Sequence, residues 1–351
     1  MITLIFIVFV LVAAFSFIED NATDYKDIVY IGIMFLLICI AGFRPIGCDN
    51  DSLNYEYFYF NADSEEVATF VEKSYIWLSL LFHKVFEFDS VRPLLLLYAI
   101  LGVSLKIAAI RRYSDIWFCC ILIYMGYYFI LHDMTQIRAS IASGIFLLSL
   151  KPLVEKRRWT FFFMMCVALF FHYSALVLFP LIFMGNSELK KIHRILLATL
   201  VPVGYIIYFL HIDIITAIPL PYIGDKIEIY KDLNEKGILG DEINVFNMVF
   251  LVEILIYFFL LIKYELIVEY NKYLPIMLKI MGFSIFSFLL FSSLPVLAFR
   301  THELYGIVDI ILFTNIYYVI RPRWISNIVV LIIGLSLLCI SLFYADLLVL
   351  N

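Results

Sequence analysis

The run His132-Asp133-Met134-Thr135-Gln136-Ile137-Arg138-Ala139-Ser140-Ile141-Ala142-Ser143-Gly144 is a polar turn that opens into an apolar helix with small residues on its first turns. Arg138 falls one turn inside that helix and Gln136 at its N-terminus, where free N–H groups and the helix dipole favour an anion. The alternative for Arg138 is a simple pair with Asp133 or a reach to the interface. Arg44 closes an earlier apolar run in Gly42-Phe43-Arg44-Pro45-Ile46-Gly47-Cys48-Asp49-Asn50-Asp51, with Tyr55 close behind; an interfacial anchor is its other reading. Arg300 stands in Leu297-Ala298-Phe299-Arg300-Thr301-His302-Glu303-Leu304-Tyr305, three positions before Glu303 on one helical face, where a structural ion pair is the alternative. His172 interrupts the apolar stretch Leu169-Phe170-Phe171-His172-Tyr173-Ser174-Ala175 and is either a packing residue or a base. Guanidinium groups fork onto phosphate oxygens without losing charge, so arginines gathered with a histidine and carboxylates at a lipid boundary suit a lipid-linked diphosphate.

The elements that carry these residues must be membrane helices. The chain has 351 residues, 64% hydrophobic and 16% charged, with a mean hydropathy of +0.98. This composition excludes a soluble globular enzyme. The 25 Lys+Arg against 30 Asp+Glu leave a net charge of −5, which gives no field to hold nucleic acid. The six cysteines form no paired CxxC metal site and no disulfide framework. The first run, Met1 to Ile18, lacks a basic start and a cleavage site and reads as a membrane helix. Long apolar segments then recur at about 28–43, 91–110, 116–131, 137–150, 159–184, 194–210, 244–263, 275–292, 299–320 and 325–345. The expected architecture is one all-α polytopic membrane domain over residues 1–351, with about 10–12 transmembrane helices. The segment 75–87, carrying His83 and Lys84, is short and is expected at the interface or re-entrant.

Basic residues cluster at Arg111-Arg112, Lys151 with Lys156-Arg157-Arg158, Lys190-Lys191 with Arg194, Lys263 with Lys272, and Arg321 with Arg323. The positive-inside rule places all five clusters in the cytoplasm. That is possible only if 159–184 enters and returns on one side, as two half-helices meeting near His172, each roughly 18 Å long. A single crossing over the same residues is the rival. The external loops are then about 44–92, which is acidic, and 211–243.

The residues Phe43-Arg44-Pro45-Ile46-Gly47-Cys48-Asp49, Tyr55 and Glu72, then Gln136-Ile137-Arg138-Ala139-Ser140-Ile141-Ala142, then Phe171-His172-Tyr173-Ser174-Ala175-Leu176, and finally Arg300, together resemble the EpsG-like family of Wzy-type polysaccharide (O-antigen) polymerases. Tyr55 lies four residues after Asp51, so Asp49 and Asp51 are both candidates for the family's acidic position. The resemblance implies a GT-C-like membrane glycosyltransferase in the bacterial inner membrane, with its active site facing the periplasm. It would join oligosaccharide repeat units carried on undecaprenyl diphosphate and release undecaprenyl diphosphate. Donor and acceptor would both be lipid-linked, in contact with membrane lipids and with a chain-length regulator as a further partner.

No Walker loop, GxSxG, HExxH or dinucleotide turn is present, so the energy must arrive stored in the substrate, and neither a cofactor nor a metal is expected. Arg138, Arg300, Arg44 and Gln136 are assigned to the diphosphate, where fixed cations stabilise charge as it develops. The base is sought among His172, Glu303, Asp49 and Asp51, with His172 the first choice. Tyr55, Glu72, His302 and Tyr305 are assigned to sugar or acceptor. Two other functions compete: an O-antigen ligase-type transferase, and a transporter or flippase of lipid-linked glycan, for which Lys106 and Glu253 inside helices speak.

Overall fold

The computed structural model describes residues 1–19, 25–212 and 243–349, and the expected loop 211–243 lies almost wholly outside them. The chain is an all-α polytopic membrane protein, and no strand occurs among the described residues. In order, the helices are α1 (Ile2–Phe17), α2 (Lys26–Gly42), α3 (Ser52–Phe60), α4 (Glu65–Phe70), α5 (Lys73–Leu80), α6 (Arg92–Tyr113), α7 (Trp117–Gly126), α8 (Ile137–Val154), α9 (Arg158–Phe171), α10 (Lys191–Phe209), α11 (Met248–Ile262), α12 (Leu274–Leu290), α13 (Pro295–Gly306) and α14 (Arg323–Phe343). Four of these, α6, α8, α10 and α14, are long and apolar enough to cross a membrane on their own. Five shorter apolar helices of 10–17 residues accompany them.

Two expected spans are broken. The segment 116–131 stops at Gly126, and a π-helical turn Phe129–Thr135 continues at 66° to α7 before α8 begins. The segment 299–320 is also divided, into α13, the short helix Asp309–Leu312 and the 3-10 helix Phe313–Tyr318. Gly306 ends α13 under Tyr128, whose hydroxyl lies 2.6 Å from where a Cβ would stand. At the first break Ser341 Oγ donates to the freed Gly126 carbonyl at 2.9 Å, since backbone released from a helix inside an apolar bundle needs a buried protein partner.

The segment 159–184 folds back on itself. Helix α9 ends at His172, which is extended at φ −151° and ψ 118°, and a 3-10 helix Tyr173–Phe183 follows with Pro180 inside it. The rings of Phe162 and Phe179 then meet at 5.6 Å. A straight helix would hold them about 25 Å apart, so the hairpin and not the single crossing is the geometry of this chain.

The hairpin lets every basic loop reach one end. Lys26 Nζ donates to the Asp115 carbonyl at 2.8 Å, and Arg111 pairs with Asp27 at 2.8 Å. Tyr318 donates to Asp115 and stacks on Tyr270 at 4.7 Å. The Lys151 N–H donates to Tyr113 Oη at 3.0 Å, and Tyr113 packs edge-on against Tyr273 at 4.7 Å. Asn186 donates to the Lys272 carbonyl at 2.9 Å, and Arg194 pairs with Glu265 at 2.6 Å. From this basic end α14 runs for about 32 Å to the other, where the Val349 N–H donates to the Cys48 carbonyl at 2.8 Å.

Candidate active site

The site end is built on a closed loop. Gly47, at φ +83°, turns the chain after α2 in a conformation that suits glycine. Arg44, with no solvent exposure, then pairs through Nε with Asp49 at 2.9 Å and donates to the Ala41 carbonyl at 2.7 Å. The other Asp49 oxygen accepts the N–H groups of Asp51 at 3.0 Å and Ser52 at 2.9 Å, which begins α3. Arg44 and Asp49 were expected at the diphosphate and as a base. Both are sealed into this loop by mutual pairing, and neither presents a free oxygen or a solvent-facing guanidinium to a substrate. Asp51 differs: it is half-buried, and its side chain lies within electrostatic range of Arg138, Arg300 and Arg44. Burial, reinforced by neighbouring Asp49, pushes its carboxyl up from the ordinary value.

At the head of α5, Glu72 joins two sequence motifs. Its Oε2 accepts from Arg138 Nη1, and its Oε1 shares a hydrogen bond with His172 Nδ1 at 2.9 Å. The backbone N–H of Tyr173 also approaches Oε1, at 3.5 Å. Burial acts to raise the Glu72 carboxyl, but the His172 hydrogen bond and the Arg138 charge outweigh it and hold the group down at about 2. Glu72, expected to touch sugar, is only 5% exposed and instead orients both the cation and the imidazole. The other ring nitrogen of His172 makes no hydrogen bond among the described residues.

Aromatic packing fixes Arg138 from below. Its guanidinium lies 5.5 Å from the centroid of Tyr55, which packs at a tilt against Tyr75 at 5.5 Å, and Tyr75 in turn approaches Tyr98 at 5.9 Å. Tyr55 is 2% exposed, so it supports the cation and has no face free for a sugar ring. Pairing of Arg138 with Asp133, the simpler sequence reading, does not occur; Asp133 is taken by Lys106 at 3.1 Å.

Helix α13 brings the remaining groups. Arg300 is exposed, forms no ion pair among the described residues, and acts electrostatically on Asp51, His172 and Glu303. Glu303 is buried, with the half-buried Gln136 at hydrogen-bonding range, so its carboxylate meets an amide and not open solvent. His302 is engaged at both ring nitrogens, by Glu253 at 3.2 Å and by Ser284 at 2.9 Å. It ties α11, α12 and α13 together and has no nitrogen left for a sugar hydroxyl. Tyr305 donates to the Val177 carbonyl and pins the hairpin to α13, which commits its hydroxyl proton.

The residues brought together are thus Arg138, His172, Glu72, Asp51 and Arg300, while Arg44, Asp49, Tyr55, His302 and Tyr305 serve as framework. Sequence reasoning missed the Glu72 to His172 bond, because the partners are 100 residues apart with no shared local pattern.

Fold and site together define an all-α polytopic membrane protein that gathers guanidinium groups, an oriented imidazole and carboxylates at one end. The EpsG family model matches residues 27–350, and the chain belongs to the EpsG family. No curated protein and no solved structure matches the chain.

Proposed function

We propose that this protein is a polysaccharide polymerase that couples undecaprenyl-diphosphate-linked repeat units on the periplasmic face of a bacterial inner membrane. The observation that carries the reading is the Glu72 carboxylate held between Arg138 and His172. Glu72 fixes Nδ1 as the protonated nitrogen and leaves Nε2 to take a proton. In the reaction the acceptor hydroxyl oxygen bonds to the anomeric carbon of the donor and its proton passes to His172 Nε2. The bond from that carbon to the phosphate oxygen breaks, and the electron pair leaves with undecaprenyl diphosphate. Arg300 and the unshared edge of Arg138 supply positive charge where the leaving diphosphate becomes more anionic. Asp51, facing the same cations, is suited to orient a sugar hydroxyl.

The basic end faces the cytoplasm on the positive-inside rule, which directs the site to the periplasm. Both residues that favoured a transporter have closed internal partners: Lys106 pairs with Asp133, and Glu253 with His302. The test is lengthening of undecaprenyl-diphosphate-linked repeats by purified protein in detergent without a gradient. Longer lipid-linked glycan supports the polymerase. No lengthening, or transfer only to a lipid A core, overturns it.

A further inference from the structure

Lys106, in the middle of α6, has no solvent exposure and takes no part in the proposed chemistry. Its ammonium contacts the two Asp133 oxygens at 3.2 and 3.1 Å and donates to the Ser140 carbonyl at 3.0 Å and to Ser140 Oγ at 2.8 Å. Ser140 Oγ in turn donates to Asp133 at 2.5 Å, and Tyr124 Oη donates to the other carboxylate oxygen at 2.7 Å. All four residues are at most 1% exposed. The backbones close around this knot: a Cβ on Gly102 would stand 1.9 Å from Ser140 Oγ, and one on Gly144 would stand 2.7 Å from Leu105 Cβ. Small residues allow this approach of α6 to α8.

The knot has one exit along the chain in each direction. Asp133 lies in the π-helical turn that ends three residues before Arg138 starts facing Glu72, and Ser140 lies two residues beyond Arg138. Lys106 therefore holds both flanks of the segment that carries Gln136 and Arg138. We infer that the Lys106–Asp133–Ser140 knot is a positioning device that sets where the Arg138 guanidinium meets the diphosphate. This inference rests on the polymerase reading of that site.

The test is a binding cycle on the purified full chain with undecaprenyl diphosphate as the probe. In Lys106→Met/Asp133→Leu both charges are replaced by apolar groups of similar size, which buried pairs commonly tolerate. Thermal unfolding in detergent checks the fold, and Lys106→Gln/Asp133→Asn carries the same comparison if the apolar pair does not accumulate. The positioning role requires the folded double variant to bind undecaprenyl diphosphate about tenfold more weakly, with no further loss on adding Arg138→Ala, since coupled residues are not additive. Wild-type affinity in the double variant, or losses that multiply with Arg138→Ala, overturns the inference. If Arg138→Ala alone binds the probe as the wild type does, the polymerase site itself is misplaced, a result distinct from failure of the knot.

Discussion

The Glu72 carboxylate and the His172 imidazole, 100 residues apart in sequence, meet at 2.9 Å at the bend of the Arg158–Phe183 hairpin. That contact joins the segment between α2 and α6 to the hairpin apex. Because Arg138 grips the same carboxylate, one side chain sets the orientation of both a cation and a base.

Glu72 makes acid sensitivity predictable. Its folded-state value of about 2 lies below the ordinary 4.5, so its stabilising contribution is complete above about pH 4.5 and is lost as pH falls toward 2. The contribution is on the order of 3 kcal/mol. Unfolding in detergent followed from pH 6 to pH 2 should show this loss in the wild type and a flatter profile in Glu72→Gln. Equal slopes in both proteins would show that the carboxylate is not held by these partners.

Arg300 is exposed and unpaired among the described residues, so its removal should spare the fold. Arg300→Ala should insert at wild-type levels and reduce coupling by about 10²- to 10³-fold, as loss of one charge-stabilising donor does. Glycan length on a gel from cells carrying each variant reads this out; full-length glycan from Arg300→Ala removes it from the site.

Arg44 should behave in the opposite way. Asp49→Ala leaves the guanidinium of Arg44 buried without its partner, and breaking such a pair costs about 3–5 kcal/mol. The expected result is low accumulation in membranes and a lower unfolding temperature. A stable Asp49→Ala protein lacking only activity would restore Asp49 as a substrate group.

Gly102→Ala places a methyl group 1.9 Å from Ser140 Oγ and 2.5 Å from Asp133 Oδ1. Neither atom can move without breaking the Lys106 knot, and overpacking of this kind costs about 1–3 kcal/mol. Thermal unfolding of purified Gly102→Ala and wild-type protein measures it.

Most helices were legible because an apolar run of bilayer length has few other fates. The hairpin was legible by counting charge: five basic clusters could share one side only if 159–184 returned. Breaks at Tyr127 and after Gly306 were not legible, since they depend on distant neighbours such as Gly334 and Tyr128 that no local pattern announces. In the candidate site, Arg138, His172 and Arg300 stand out in the sequence because a polar residue in an apolar run demands a reason. Glu72 is singled out as well, but for sugar; its bonds to Arg138 and His172 are not legible, because it sits in a loop crowded with acids and only folding selects its partners. Lys106 inside a helix keeps the transporter alternative open in the sequence, because its carboxylate partner lies 27 residues away on a turn whose shape the sequence does not disclose.

Labelling can check the hairpin. Cysteines placed at the exposed positions Glu155 and Ser187 should react with an impermeant reagent from one side, and one at exposed Glu65 from the other. Labelling of positions 155 and 187 from opposite sides would rule the hairpin out.

The bend at His172 also decides which way round everything made after it crosses the membrane. If a substitution let residues 158–183 run through as one rod, α10 to α14 would be inserted upside down. Arg300 would then be stranded across the bilayer from Arg138, so the turn that carries His172 keeps the two halves of the protein on speaking terms.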